Sequence, residues 1–184
     1  RYHSLRFASL SELRSLSRKK GNHADAALGV TESRYDLVYK SRVFTDTYSK
    51  DTIAVTNAEQ VVSGGTGYGT GPDLPAEMEH SRPDYAMYPQ FPDTAYGFLS
   101  RGCPRNCGFC IVSGKEGRKS VHTADLSEFW NGQREIKLMD ANLLACPDHE
   151  RLIEQLAQSR AWVDFSQGLD IRLITPDNVA LLNL

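Results

Sequence analysis

Long apolar runs and a strong net charge are both missing from this chain of 184 residues. No segment approaches the roughly 18 consecutive apolar residues that a membrane-spanning helix needs. The formal net charge is −2 at pH 7, so the composition gives no general attraction for nucleic acid or for an anionic membrane. The first residues, RYHSLRFASL, contain no continuous apolar core of the kind found in signal peptides. We therefore expect a globular protein without a membrane partner.

Cysteine is also scarce, with four residues in the chain. Cys103, Cys107 and Cys110 lie within the ten residues RGCPRNCGFC (101–110), whereas Cys146 is remote. Small secreted domains spread their disulfide cysteines through the chain, so this clustering favours a reducing, cytoplasmic compartment and a metal site. Cys146 is expected to be a buried small residue or a free thiol.

A nucleotide-binding loop is missing as well. The glycine-rich stretch GGTGYGTGPDLP (64–75) does not match G-x-G-x-x-G, and no Walker lysine is present. Pro72 and Pro75 stand where a phosphate-binding helix should begin. The whole of 63–93 is rich in glycine and proline and predicts a loop or linker.

Predicted strands and helices alternate after residue 95, which is typical of a parallel sheet with right-handed crossovers. The predicted strands are 95–100, 135–140 and a segment of 161–174; the predicted helices are 125–133, 147–160 and one that starts at Thr175. Before residue 95 the pattern predicts a helix over 9–20 and strands at 35–44 and around Val61–Val62. The sequence thus predicts an α/β protein with an N-terminal region 1–90 and a second region 91–184.

The cysteine spacing i, i+4, i+7 lets one loop after a strand place three thiolates around a single object. Pro104 prevents a regular helix there, and Gly102 and Gly108 let the backbone bend. A structural zinc takes four ligands, and His122, twelve residues after Cys110, is an awkward fourth. A [4Fe-4S] cluster on three thiolates would leave one iron open for a cofactor. Zinc and unmetallated thiols remain as alternatives.

The motif Cys-x3-Cys-x2-Cys, with Phe109 directly before the last cysteine and a strand before the first, resembles the signature of the radical S-adenosylmethionine superfamily. The resemblance covers about residues 95–175 and implies a partial (β/α)6 barrel. It implies that Cys103, Cys107 and Cys110 hold three irons of a [4Fe-4S] cluster whose fourth iron is chelated by S-adenosylmethionine. It further implies one-electron cleavage of that cofactor to methionine and a 5′-deoxyadenosyl radical that attacks an unknown substrate.

The resemblance also implies cofactor contacts where later strands end. The superfamily often has a Gly-Gly-Glu-like stretch after its second strand; MDAN (139–142) is similar to an Asp-x-Asn variant of it. An arginine after the third strand would pair with the cofactor carboxylate, and an aspartate would bind ribose hydroxyls. The expected cofactor contacts are Phe109, Asp140, Asn142, Gln167, Asp170 and Arg172. The alternatives are a core aromatic for Phe109, a turn cap for Asp140 and a surface ion pair for Arg172.

A basic patch is expected beside the cysteine loop, formed by SGKEGRKS (113–120) together with Arg101 and Arg105. It would attract an anionic substrate or an acidic reducing partner such as flavodoxin or ferredoxin; a solvated loop is the alternative. No RNA-binding appendage is visible, so nucleic acid is not favoured. The residues after 95 suffice for about three βα units, so a partner chain or further residues are expected to complete the barrel.

The N-terminal region resembles cobalamin-binding-type domains, which have a strand ending in Gly-Gly and then a proline-containing loop, here Val61–Gly65 and DLPAEME (73–79). The resemblance implies a partial Rossmann-like domain. The Asp-x-His-x-x-Gly cobalamin motif is absent from the sequence, so cobalamin itself is not expected. The competing function is a non-catalytic module, either an electron-transfer iron–sulfur protein or a zinc-stabilised interaction domain.

Overall fold

The structure, a computed structural model, describes residues 5–7, 34–48, 51, 54–69 and 73–184. The chain divides into two compact units, Arg1–Glu79 and His80–Leu184, so the predicted boundary after residue 90 lies inside the second unit. The helix expected over 9–20 lies outside the described residues. No helix in the described ranges has the length and apolar character needed to cross a membrane.

The first unit contains a small mixed sheet in the order β1-β2-β3. Strand β1 (Leu5–Phe7) is antiparallel to β2 (Tyr35–Ser41), and β2 is parallel to β3 (Ala58–Gly64). The strand expected to reach residue 44 ends at Ser41, and Val43 and Phe44 are exposed. The described residues between β2 and β3 include no crossover helix, so the Rossmann-like domain stays a prediction.

The predicted linker 63–93 contains short ordered elements. A 3-10 turn, Thr66–Tyr68, follows β3, and helix α1 spans Ala76–Glu79. A second 3-10 turn, Tyr85–Met87, belongs to the second unit. The Tyr85 hydroxyl donates to the Tyr96 carbonyl at 3.2 Å and accepts from the Tyr96 N–H at 3.0 Å, so it caps the edge of the sheet described next.

The second unit is built on a three-stranded parallel sheet, as the alternating pattern predicts. Strand β4 is Thr94–Gly97, and a small antiparallel pair follows, β5 (Ser100–Arg101) with β6 (Val121–His122). Strands β7 (Glu135–Leu138) and β8 (Trp162–Phe165) complete the sheet in the order β4-β7-β8. Helices α2 (Val112–Lys115), α3 (His149–Ser159) and α4 (Pro176–Leu182) lie between or after the strands.

Helix α3 supplies one side of the core because its apolar residues recur at helical spacing. Leu152, Ile153 and Leu156 are all buried, and they join a cluster that includes Ile136 and Leu138 of β7. Cys146 lies in the same cluster as a free, buried thiol, which confirms the expectation for it. Helix α4 begins as the sequence predicts, with Thr175 as the N-cap of a capping box.

One predicted helix differs from the structure. The helix predicted over 125–133 is only a 3-10 turn, Leu126–Glu128, although Asp125 and Glu128 form the expected kind of capping box. It does not propagate because Asn131 and Gly132 follow after only two more residues, and Gly132 has a φ of +87°, outside the helical range. The fold is mixed α/β with small parallel sheets, and the described residues form no closed barrel. The partial (β/α)6 barrel therefore stays a prediction.

Candidate functional site

The cysteine loop begins directly after β5, and a buried carboxylate fixes its entry. Asp140, which follows β7, accepts hydrogen bonds from the backbone N–H groups of Leu99 at 3.1 Å and Ser100 at 2.6 Å. The Ser100 hydroxyl adds a third bond at 2.7 Å. Burial raises the pKa of Asp140, while the bonds from Ser100 and Leu99 act in the opposite direction. Asp140 therefore holds the chain that leads into the loop.

A second clamp holds the loop from the other side. The Gly102 N–H donates to the Glu116 carboxylate at 3.2 Å, and the Cys103 N–H donates to the Gly117 carbonyl at 3.2 Å. Gly102 has a φ of +89°, and a Cβ on it would lie 2.1 Å from the Lys119 carbonyl oxygen. Only glycine fits this close approach, which ties the first cysteine to 116–119.

The three loop thiols are free but differ in exposure: Cys103 is buried, and Cys107 and Cys110 are exposed. The Cys110 N–H donates to the Cys107 carbonyl at 3.0 Å, which closes a turn between them. Within the described ranges, no three or more His, Cys, Asp or Glu side chains are gathered closely enough to hold a metal ion. The structure thus places the thiols on one loop without drawing them together.

The buried thiol meets residues from the ends of the next two strands. The Asn142 Nδ2 lies 3.6 Å from the Cys103 Sγ and 3.4 Å from an oxygen of Asp170. Asp170 in turn accepts from Arg105 Nε at 2.8 Å and from Arg172 Nε at 2.7 Å. We call these five residues the Asp170 hub, and it brings together three of the predicted cofactor contacts: Asn142, Asp170 and Arg172.

The charged residues of the Asp170 hub shift one another's pKa values. The guanidinium groups of Arg172 and Arg105 hold the pKa of Asp170 far below its usual range. The hydrogen bond to Asp170 raises the pKa of Arg172, and the nearby Cys107 and Cys103 thiols act in the same direction. Arg172 therefore forms an ion pair, as the alternative of a surface ion pair predicts, but its partner Asp170 is itself one of the predicted cofactor contacts.

One polar atom of the hub has no partner. Asn142 is 3% exposed, and its side-chain oxygen Oδ1 forms no hydrogen bond, while its Nδ2 is used by Cys103 and Asp170. Buried acceptors are almost always bonded in proteins, so an acceptor without a donor beside a thiol is a feature that needs a function.

The remaining predicted contacts lie apart from the hub. Phe109 is 94% exposed, so the core-aromatic alternative is wrong, and its contact with an adenine stays a prediction. Gln167 is exposed in the turn after β8 and makes no hydrogen bond to the hub. Asp140 accepts hydrogen bonds from Leu99 and Ser100 with both carboxylate oxygens, and its contact with a cofactor stays a prediction. His122, the candidate fourth zinc ligand, lies 3.4 Å from Asp125.

Two residues of the site were not identified as site residues from the sequence. Arg105 and Glu116 stood out only as members of a charged segment, but Arg105 joins the loop to Asp170 and Glu116 bonds the Gly102 N–H. Arg105 and Asp170 are 65 positions apart, so their pairing has no local signal. The position of Arg105 between two motif cysteines is the clue that could have identified it.

Comparison of the chain with protein-family models, with curated proteins and with solved structures gave no match. What the protein does must therefore be argued from the loop and the hub themselves.

Proposed function

We propose that the chain is the core of a radical S-adenosylmethionine enzyme that acts on an unknown substrate. Cys103, Cys107 and Cys110 would hold a [4Fe-4S] cluster, and S-adenosylmethionine would bind beside it. The observation that carries the proposal is the contact chain from Cys103 through Asn142 to Asp170. It places the first motif cysteine next to polar residues from the carboxyl ends of two neighbouring parallel strands, where α/β proteins bind ligands.

The residues fit such a cluster in kind. Iron–sulfur clusters are held by cysteine thiolates, and this loop offers three free thiols with Arg172 near two of them. Binding would draw Cys107 and Cys110 toward the buried Cys103. Both lie in the exposed part of the loop, so this movement disrupts little packing. When bound and reduced, the cluster supplies the electron that splits the sulfonium of the cofactor.

The chain's own residues would orient that cofactor. The unpartnered Asn142 Oδ1 is an acceptor suited to an amino group, and Arg172 is a donor suited to a carboxylate. S-adenosylmethionine carries both groups on its methionine part. Asp140 and Glu116 would position the loop, because Asp140 accepts hydrogen bonds from Leu99 and Ser100 and Glu116 accepts them from Arg101 and Gly102.

Anaerobic reconstitution with iron and sulfide tests the proposal. The wild-type protein should turn brown, bind about four irons and show an electron paramagnetic resonance signal that changes when S-adenosylmethionine is added. The variants C103S, C107S and C110S should each lose most of the iron. C146S is the matched control, because it removes a buried thiol outside the loop, and it should keep the cluster. A colourless protein with one zinc per chain would instead establish the interaction module.

A further inference from the structure

The turn that leads into β7 contains the pair Asn131–Gly132, and both residues are exposed. We propose that Asn131 is a site of spontaneous covalent modification, at which the backbone nitrogen of Gly132 attacks the side-chain amide and converts Asn131 into isoaspartate or aspartate. The turn precedes β7, whereas the cysteine loop follows β4 and β5, so the two lie at opposite ends of the parallel sheet. The inference therefore does not depend on the proposed function.

The attacking nitrogen and the amide that it attacks are both unoccupied. Within the part of the chain that the structure describes, the Gly132 N–H donates no hydrogen bond and the Asn131 side-chain amide forms none. Gly132 carries no side chain, and no atom lies within 4 Å of the position that a Cβ would take there. A cyclic imide can therefore close between the two residues without displacing a neighbouring group.

Water has access to the reacting atoms, because Asn131 and Gly132 line an open groove together with Trp130 and Gln158. The bond from the Gly132 nitrogen to the Asn131 Cγ forms as the Cγ–Nδ2 bond breaks. The glycine nitrogen gives its proton to solvent, and the amide leaves as ammonia. Water then opens the imide at the backbone carbonyl to give isoaspartate, or at the side-chain carbonyl to give aspartate. The net change replaces ammonia by water and needs no oxidant or reductant.

Two buried asparagines of the same unit provide an internal comparison. The Asn178 Oδ1 accepts from the Thr175 N–H at 2.8 Å, and its Nδ2 donates to the Leu173 carbonyl at 2.9 Å. Asn142 is buried as well, and a leucine follows it. Asparagine is a chemically labile residue, but in both of these positions packing and the next side chain hinder closure of the imide.

Isoaspartate would open the turn. The Trp130 Nε1–H donates to the Gln133 carbonyl at 2.9 Å, and the Asn131 N–H donates to the Gln133 Oε1 at 2.7 Å. Because isoaspartate adds one carbon to the main chain between these partners, both bonds should break and the half-buried Trp130 should become more exposed. Strand β7 should stay in place, since the Glu135 N–H donates to the Asp93 carbonyl at 3.0 Å.

Ageing the full chain in mildly alkaline buffer tests the proposal. Samples are taken over days, digested at mildly acidic pH and analysed by mass spectrometry. The peptide that contains Asn131 should acquire the mass of an acid in place of an amide, while the peptides that contain Asn142 and Asn178 should keep their masses. The aged protein should also accept methyl groups from an isoaspartyl O-methyltransferase, which is a readout specific for the isoaspartate product.

Two variants isolate the reaction. N131Q keeps an amide but requires a larger ring, so it should show no product over the same period. G132A places a Cβ beside the attacking nitrogen and should slow the modification about tenfold. The opening of the turn is followed in W162F, where Trp130 is the one remaining tryptophan. Its emission should shift to the red on ageing, and the emission of N131Q/W162F should not.

A synthetic peptide of residues 128–135 separates the effect of the fold from that of the local sequence. If Asn131 is modified in the peptide but not in the folded chain, the turn protects it and the proposal is overturned. Equal modification of Asn131 and Asn178 would also overturn it, because the reaction would then follow unfolding of the whole unit. Isoaspartate in aged W162F with unchanged Trp130 emission would disprove the opening of the turn.

Discussion

The carboxylate of Asp140 holds Ser100 by two hydrogen bonds from one oxygen. Oδ1 accepts from the Ser100 backbone N–H at 2.6 Å and from its hydroxyl at 2.7 Å, and Oδ2 accepts from the Leu99 N–H at 3.1 Å. Both residues are buried. Because Asp140 follows β7 and Ser100 begins β5, this contact joins the sheet to the entrance of the cysteine loop.

We expect the variant D140A to destabilise the second unit strongly. It leaves two buried backbone N–H groups without acceptors, and each such group costs about 1–3 kcal/mol. S100A is the comparison, since it removes only the hydroxyl bond and should cost about 1 kcal/mol. Urea unfolding followed by circular dichroism measures both. Equal losses of stability in the two variants would show that the backbone bonds to Asp140 contribute little.

Replacing Gly102 by alanine should distort the loop entrance. The backbone there has a φ of +89°, and the new Cβ would lie 2.1 Å from the Lys119 carbonyl oxygen, so the strands β5 and β6 must shift. Gly132 is a matched control, because its φ is +87° and no atom lies within 4 Å of the position that an alanine Cβ would take there. G132A therefore incurs only the backbone strain, about 1–2 kcal/mol, and G102A adds a clash of about the same size.

Unfolding midpoints and iron incorporation together test the Gly102 prediction. G102A should lose more stability than G132A and should also bind less iron after reconstitution, while G132A should bind the wild-type amount. If G102A were as stable as G132A and had full iron content, the backbone of 116–119 would have moved away from the new Cβ without affecting the cysteines.

Local patterns predicted most elements of the second unit. Glu135–Leu138 and Trp162–Phe165 were identified by short apolar runs, and His149–Ser159 by apolar residues at helical spacing. These signals work because each element buries one face against the same core. The pattern at 125–133 misled, since a good capping residue starts a helix there but Asn131 and Gly132 stop it within one turn. The closure of a barrel has no local signal of this kind in the sequence.

The site was predictable in part for the same reason. The cysteine spacing located the loop, and the position of Asn142 and Asp170 after parallel strands located one side of the hub. Arg105 was out of reach, because its partner Asp170 lies 65 positions away and a salt bridge leaves no periodic trace. The exposure of Phe109 could not be predicted from the sequence either, because an aromatic residue beside a cysteine occurs in a core as well as on a binding surface.

Removing the carboxylate of Asp170 should loosen the loop and weaken cofactor binding. In D170A, Arg105 and Arg172 both lose their partner, and Asn142 loses one of its two contacts. We expect faster amide hydrogen exchange over 103–110. In the reconstituted protein we expect about tenfold weaker binding of S-adenosylmethionine, the size of effect that residues behind a binding group often have.

The control for Asp170 is D164A on the same chain segment. Asp164 pairs with Lys137 at 2.9 Å on the sheet, away from the loop, so its removal should change neither exchange over 103–110 nor cofactor affinity. If D170A exchanged and bound as D164A does, the hub would be a surface ion pair without a role in the site.

Acid should weaken the contact between Asp125 and helix α3. Gln155 Nε2 and Arg151 NH1 donate to Asp125 Oδ1 at 2.8 and 2.7 Å, and these bonds lower the pKa of Asp125. The folded state therefore favours the charged carboxylate. Its stabilisation is fully present above the unfolded pKa of about 3.9 and is lost as the pH falls through the lower folded value.

The variant D125N isolates this effect. At about pH 5 it should unfold at a lower urea concentration than wild type, and the gap should narrow as the pH falls below the unfolded pKa of about 3.9 and through the lower folded value. Glu154 is an exposed carboxylate on helix α3, and its variant E154Q should show no such gap. A D125N gap of constant size from pH 5 to 2.5 would mean that the hydrogen bonds to Asp125 are indifferent to its charge.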